Sequence, residues 1–270
     1  MSKIYVLKGS FDPFTLKDRS IALQYLHQHS VKKIFFDVTK EGKRDYKDRI
    51  EILKRTIAPY RKLALFTDEL KDKEIVYIED EQAAKGITTN DFTELSDSAS
   101  QYIIEKGLYF EDIIDSVLSK YRGYHVKCVA SLAASLAKHY GLSYYEGLVA
   151  GYLHDITKEW DKEKQRRITA IYRPDKQHES IQIFHQFTAK IEAQTSFKIR
   201  NKMILDAIGN HVNGTDRKLL SKIVFCSDKI DDSRDFDNTK QKAECFKDIH
   251  KAFIQIQDEQ RAYLKANHKI

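Results

Sequence analysis

Six side chains between residues 125 and 228 are of types that hold metal ions: His125, His154, Asp155, His185, His211 and Asp228. His154 and Asp155 are adjacent, near the end of the apolar stretch GLVAGYLHDITK at residues 147–158. Ala150 and Gly151 lie four and three positions before His154, on the same helical face. The sequence therefore predicts a face cut back to leave room for something. A buried aspartate beside a buried histidine is costly unless a cation or polar partner satisfies both. The later candidates lie on apolar stripes. His185 is four after Ile181 and four before Ala189, His211 shares a face with Ala207 and Ile208, and Asp228 follows Val224 by four and Phe225 by three. Taken singly, an inward histidine is more often a hydrogen-bonded core residue than a ligand, and Asp228 reads equally well as a cap or an ion-pair partner. Four imidazoles and two carboxylates on inward faces of one region point instead to a divalent metal, with iron, manganese and zinc all suited to such ligands. Cys128, Cys226 and Cys245 have no CxxC spacing, which disfavours a structural zinc site.

The elements that must position these residues change character partway along the chain. From about residue 110 the pattern reads as helix throughout: 111–121, 124–140, 146–156, 162–172, 177–195, 201–212, 218–230 and a long final helix over 238–265. His125 opens the second of these, and His154 and Asp155 end the third. Before residue 110, strand and helix patterns alternate. Apolar runs at 3–7, 33–38, 63–66 and 75–78 read as strands, with helices at 17–28 and around Tyr46, Ile50, Leu53 and Ile57. That alternation predicts an α/β domain with a parallel sheet, followed by an all-α domain, with the division at residues 109 and 110. Gly9, Ser10, Phe11 and Asp12 form the glycine turn after the first strand, a place where backbone amides at a helix start face phosphate. They are the candidate nucleotide-binding residues of that domain.

Composition narrows the class. The 270 residues are 41% hydrophobic and 32% charged, with a formal net charge of +6. Such a balance suits polyanionic ligands, although excess lysine is also a compositional habit of AT-rich genomes. No basic run is interleaved with aromatics as a nucleic-acid groove requires. The odd, scattered cysteines point to a reducing cytoplasm rather than a disulfide framework. No apolar run approaches the ~18 residues of a membrane helix, and the first residues are too charged for a signal peptide. A cytoplasmic protein without a membrane or nucleic-acid partner is expected.

Two resemblances add to this reading. GSFDPFTLKD, at residues 9–18, resembles the first motif of the nicotinate-mononucleotide adenylyltransferases, roughly G-[ST]-F-D-P-x-H-x-G-H. Gly9, Ser10, Phe11, Asp12 and Pro13 match, while the two phosphate-stabilising histidines fall on Thr15 and Asp18 and the glycine between them on Lys17. Residues 43–57 and 98–109 are similar to later helices of that family. The stretch between is shorter, and the family's serine-threonine-arginine phosphate motif is not recognisable. An anion at Asp18 works against phosphate binding, so the resemblance implies a reduced, Rossmann-like and catalytically silent relative.

The helical half resembles the HD phosphohydrolases, and among them the bacterial HD-type symmetrical diadenosine tetraphosphatases. The matching residues, in order, are Arg122 to His125 with Ala130, Leu132 and Ala133; AGYLHDITK at 150–158; His185; Asp206 to His211 with Gly214; and residues 227–234. Val212 and Ser227 stand where the family usually has threonine and alanine. The resemblance implies a two-metal site, with iron the expected ion. His125, His154, Asp155 and Asp228 would hold one ion and Asp155, His185 and His211 the other, with Asp155 bridging. Lys158 and Arg234 would neutralise the polyphosphate, although either also reads as a solvated surface cation. The implied activity is that of a bis(5'-nucleosyl)-tetraphosphatase, a hydrolase of acid anhydrides, attacking the central phosphates to give two ADP. The alternatives are an HD phosphohydrolase acting on other nucleotides, a nicotinate-mononucleotide adenylyltransferase working through the first domain, and a module that binds nucleotide without turnover. The expected partner is a dinucleoside polyphosphate or nucleotide substrate, with a homodimer left open.

Overall fold

A computed structural model describes residues 3–267 and divides the chain into two compact units, residues 1–103 and 104–270. The division falls inside α3 (Asp97–Lys106). In the first unit, β1 (Ile4–Gly9), α1 (Leu16–Gln28), β2 (Ile34–Val38), α2 (Tyr46–Ile57), β3 (Leu63–Leu65) and β4 (Ile75–Ile78) form a Rossmann-like α/β arrangement. All strand pairs are parallel in the order β3-β2-β1-β4, with Val6 opposite Phe35 and Tyr77. The apolar strand residues Val6, Leu7, Ile34 and Phe36 are buried, as strands covered by helices require. Phe11, Phe14 and Phe36 pack their rings 4.9–5.8 Å apart beneath the first turn.

The buried stripe of α2 differs from the expected one. Arg49, Ile52, Leu53, Thr56 and Ile57 face inward, while Tyr46 is 43% exposed and Ile50 half-buried. The stripe turned because Arg49 is wholly buried and donates to the carbonyls of Thr39, Lys40 and Arg44 at 3.0–3.1 Å and to that of Ser10. Four main-chain acceptors outweigh the apolar gain of Tyr46, because a buried guanidinium must be fully satisfied.

The second unit is helical: α4 (Phe110–Val117), α5 (Lys120–His139), α6 (Tyr144–Leu153), α7 (Lys162–Tyr172), α8 (Phe184–Thr195), α9 (Lys202–Asn210), α10 (Leu219–Ile230), α11 (Thr239–Lys247) and α12 (Ile249–Ala266). Three expected helices are shorter or broken. The first stops at Val117, because Leu118 is extended and Ser119 caps α5 through the Arg122 amide. The helix expected over 177–195 begins only at Phe184, after 3-10 turns at Pro174–Lys176 and Ile181–Ile183, the latter capped by Ser180. The final helix breaks at Asp248, whose extended backbone lets its carboxylate accept the amides of His250 and Lys251. Short polar side chains that cap a new start compete with helix continuation.

The helical core centres on the packing of α5 against α6. A Cβ on Gly147 would stand 2.4 Å from the Ala133 carbonyl, and one on Gly151 2.4 Å from the Ala130 Cα. These glycines let two backbones touch. The room expected beside His154 is therefore filled by α5 rather than by a ligand. No helix among the described residues is long and apolar enough to cross a membrane.

Candidate metal centre

The ends of helices place the six candidate residues. α6 stops at Leu153 and α9 at Asn210, so His154 and His211 are both C-caps. The last carbonyls of a helix lack an intrahelical partner, and each ring uses one. His154 Nδ1 lies 2.6 Å from the Gly151 carbonyl, and His211 Nδ1 lies 2.7 Å from that of Ile208. A carbonyl only accepts, so both Nδ1 atoms carry the proton and both Nε2 atoms present a lone pair. His125 stands in the second turn of α5, His185 in the first turn of α8 and Asp228 near the end of α10. Asp155 follows His154 in the turn after α6, which is anchored by Thr157. That hydroxyl donates to the His185 carbonyl at 3.1 Å and meets Thr188 Oγ1 at 2.7 Å.

All six side chains are buried and converge in two groups: His125, His154 and Asp228, and Asp155, His185 and His211. Within each group the ligand-type atoms lie within 4.8 Å of one another. Asp155 faces both. Its Oδ1 is 3.4 Å from His185 Nε2 and 3.5 Å from His211 Nε2, while its Oδ2 is 3.8 Å from His154 Nε2 and 4.0 Å from His125 Nε2. Asp228 Oδ1 is 3.2 Å from His125 Nε2 and 3.6 Å from His154 Nε2. The Nε2 atoms of His125, His154 and His211 and Oδ1 of Asp155 nevertheless have no hydrogen bond. Buried polar atoms are rarely left so. Ligand-type atoms that approach one another without pairing fit a shared cation, which would displace any proton His125 holds, and the nitrogen and carboxylate donors fit a divalent metal.

Cations ring the two carboxylates. Arg122 Nη1 is 2.8 Å from Asp155 Oδ2, and Lys229 Nζ is 2.6 Å from Asp228 Oδ2. Lys158 Nζ is 2.9 Å from His185 Nε2. Arg234 turns inward, with Nη2 3.2 Å from Asp228 Oδ1 and Nε 3.1 Å from Asp231 Oδ2. Burial pushes the Asp155 and Asp228 carboxyls up, but it is outweighed: His154 and His211 hold Asp155, and Lys229 and His125 hold Asp228, well below the usual range. Burial pulls the His125 imidazole down, yet Asp228 and Asp231 hold it up at about 9. Burial dominates for His185 and His211, which are lowered, and for Lys158, which is lowered too.

Sequence reasoning missed Arg122, Lys229 and Asp231 as parts of this arrangement. Asp231 is wholly buried, and its Oδ2 is 3.2 Å from His125 Nδ1, so it sets that ring's orientation as the carbonyls do for His154 and His211. The signal was present: Arg122 lies three before His125, and Asp231 three after Asp228, a spacing that shares a helix face. A cleft of about 790 Å³ opens over the cluster, with Asp155, His185, Asp228 and the four cations in its wall.

The Gly9 turn is arranged differently. Phe11 is wholly buried among rings, and a Cβ on Gly9 would stand 2.4 Å from the Ala84 Cβ. The Ser10 carbonyl accepts from Arg49, and Asp12 Oδ2 accepts the amides of Lys43 at 2.6 Å and Arg44 at 3.0 Å. At the start of α1, Thr15 and Asp18 form a reciprocal capping box. Asp18 Oδ2 accepts from Thr15 N and Oγ1 at 2.8 and 2.7 Å, and its Oδ1 accepts from Ala84 N at 2.6 Å.

Comparison with known proteins agrees with this division. Residues 122–233 match the HD domain family. A probable nicotinate-nucleotide adenylyltransferase/Ap4A hydrolase of Mycoplasma genitalium is 26% identical over 134 residues, covering 49% of this chain and 38% of that protein. The chain thus aligns with well under half of the length of that relative. Among solved structures, a predicted HD superfamily hydrolase involved in NAD metabolism from Clostridium acetobutylicum shares the fold, with a TM-score of 0.55. It is 23% identical, over 59% of this chain and 87% of that one. The helical unit therefore contains a stretch that matches the HD domain, and in the chain it follows a Rossmann-like α/β unit.

Proposed function

We propose that the helical unit is a metal-dependent phosphohydrolase that cleaves diadenosine tetraphosphate symmetrically to two ADP. The observation that carries this reading is the pair of buried His/Asp groups in which Nε2 of His125, His154 and His211 and Oδ1 of Asp155 lack hydrogen bonds. His125, His154, Asp155 and Asp228 would hold one divalent ion and Asp155, His185 and His211 the second, with iron as the expected metal. Bound there, the two ions would supply an activated water and charge stabilisation for in-line displacement at phosphorus.

The chain's own residues do the rest. The Gly151 and Ile208 carbonyls and Asp231 fix three imidazoles with Nε2 inward. Arg122, Lys158 and Lys229 line the cleft beside the carboxylates and draw a polyphosphate chain across them, Arg122 with the planar fork suited to phosphate oxygens. Attack at a central phosphorus is what the resemblance to the symmetrical tetraphosphatases implies. The name of the Mycoplasma genitalium relative pairs an adenylyltransferase with an Ap4A hydrolase, which supports the same substrate. The α/β unit is read as structural, since its turn spends its polar groups on its own chain.

Chromatography of the products formed by metal-loaded protein tests the reading. ADP alone is expected at early times. Equimolar ATP and AMP would mean asymmetric cleavage and overturn it.

A further inference from the structure

The cleft over the metal centre is lined by two kinds of side chain. Arg122, Lys158 and Lys229 are cations beside the buried carboxylates and His185. Phe236, from the segment after α10, and Ile256, Gln260, Tyr263 and Leu264 of α12 line it as well. These α12 residues are spaced i, i+4, i+7 and i+8, and so form one helical stripe. Phe236 is 52% exposed and Tyr263 58%. Large rings open to water within one cleft do not serve the core, and a patch of this kind marks a binding surface. Asp235, adjacent to Phe236, and Glu259, four before Tyr263, also line the cleft and repel phosphate, so the part of a ligand that belongs beside these rings is its uncharged part.

We propose that Phe236 and Tyr263 form a nucleobase platform, so that the cleft takes nucleoside polyphosphates in preference to base-free polyphosphates and does not select among purines. The inference rests on the phosphohydrolase reading of the same cleft. An aromatic face stacks on any base, and stacking is therefore indifferent to base identity. Gln241 and Gln260 line the same wall, and an amide offers both a donor and an acceptor, which accommodates the edge of adenine or guanine alike. The polyphosphate then runs from the platform over the cations, with the reacting phosphorus beside Asp155. One platform serves one base, leaving the second nucleoside of a dinucleotide to extend beyond the cations.

Calorimetric titration of metal-loaded protein with ADP, GDP and inorganic tripolyphosphate tests this, using wild type, Phe236→Ala and Tyr263→Ala. Both residues are exposed, so the variants keep their fold. Phe236→Tyr and Tyr263→Phe keep the rings as controls. The wild type should bind ADP and GDP within a few-fold of each other and more tightly than tripolyphosphate. Each alanine variant should lose about tenfold in nucleotide affinity relative to tripolyphosphate, and the ring-keeping variants should not. Equal losses on all three ligands, no loss on any, or a wild type that prefers tripolyphosphate would overturn the platform. Turnover of diadenosine tetraphosphate by the wild type, measured alongside, judges the hydrolase reading separately. Base-dependent binding without turnover keeps the platform and sinks the hydrolase, and turnover without base dependence does the reverse.

Discussion

Asp18 and Asp155 are both carboxylates buried at the end of a helix, 1% and 2% exposed, yet their surroundings differ in kind. Both oxygens of Asp18 accept hydrogen bonds from its own unit, at 2.6–2.8 Å from Thr15 and Ala84. Oδ1 of Asp155 accepts none and instead faces two imidazole nitrogens at 3.4 and 3.5 Å. Burial still raises the Asp18 carboxyl against its hydrogen bonds, whereas the charges around Asp155 reverse the effect of burial. A satisfied buried carboxylate finishes a structure, and an unsatisfied one marks a place where something else completes it. The helix start that resembles a phosphate site has become self-sufficient, while the helix ends of the helical unit have not.

The strongest way to break this comparison is Asp155→Ala. Removing the residue that faces both groups should release metal and reduce ADP formation to background, and should also lower metal-free stability, because Arg122 loses the carboxylate it pairs with at 2.8 Å. Metal content and product release, measured on the purified variant, check it. Full activity would falsify the two-ion arrangement.

A smaller effect is expected from Asp231→Asn, which keeps the shape but removes the charge beside His125. Partners behind metal-binding histidines are worth about 10- to 100-fold in metal affinity or activity. A metal titration that superimposes on wild type would show that Asp231 only braces Arg234.

The smallest effect belongs to the α/β unit. Thr15→Ala removes the hydroxyl half of a capping box and should cost about 1 kcal/mol in urea unfolding of that unit, leaving diadenosine tetraphosphate hydrolysis in place. Wild-type protein should form no nicotinate adenine dinucleotide from ATP and nicotinate mononucleotide, because the residues at the transferase positions are spent on each other. Turnover there that survives Asp155→Ala would erase the contrast between the two regions.

Much of the frame was legible because it depends on local pattern. Short apolar runs gave the strands, their alternation with helices gave the parallel sheet of the first unit, and period-3.6 repeats gave the helical second unit. The six ligand-type residues were recognisable because imidazole and carboxylate on apolar stripes are costly without a purpose. Breaks were harder to see. Asp248 and Ser180 end or delay helices by capping new starts, and a short polar side chain in a long amphipathic stretch looks the same whether it caps or faces solvent. The α2 stripe was misplaced because nothing local says that Arg49 will find four carbonyls from other segments.

The sequence by itself determined which residues have the chemistry to hold a divalent ion, and that a helical region carries them. Only the tertiary structure decided that His125 and Asp228, 103 positions apart in the chain, bring Nε2 and Oδ1 to 3.2 Å, that helix-end carbonyls fix the rings, and that Arg122, Lys229 and Asp231 belong to the same arrangement. It also decided that Gly151 admits a neighbouring helix and not a ligand. The physical reason is range. Residue type and periodicity act within a few positions of the chain, whereas the direction of a lone pair is set by whichever distant backbone packs behind it.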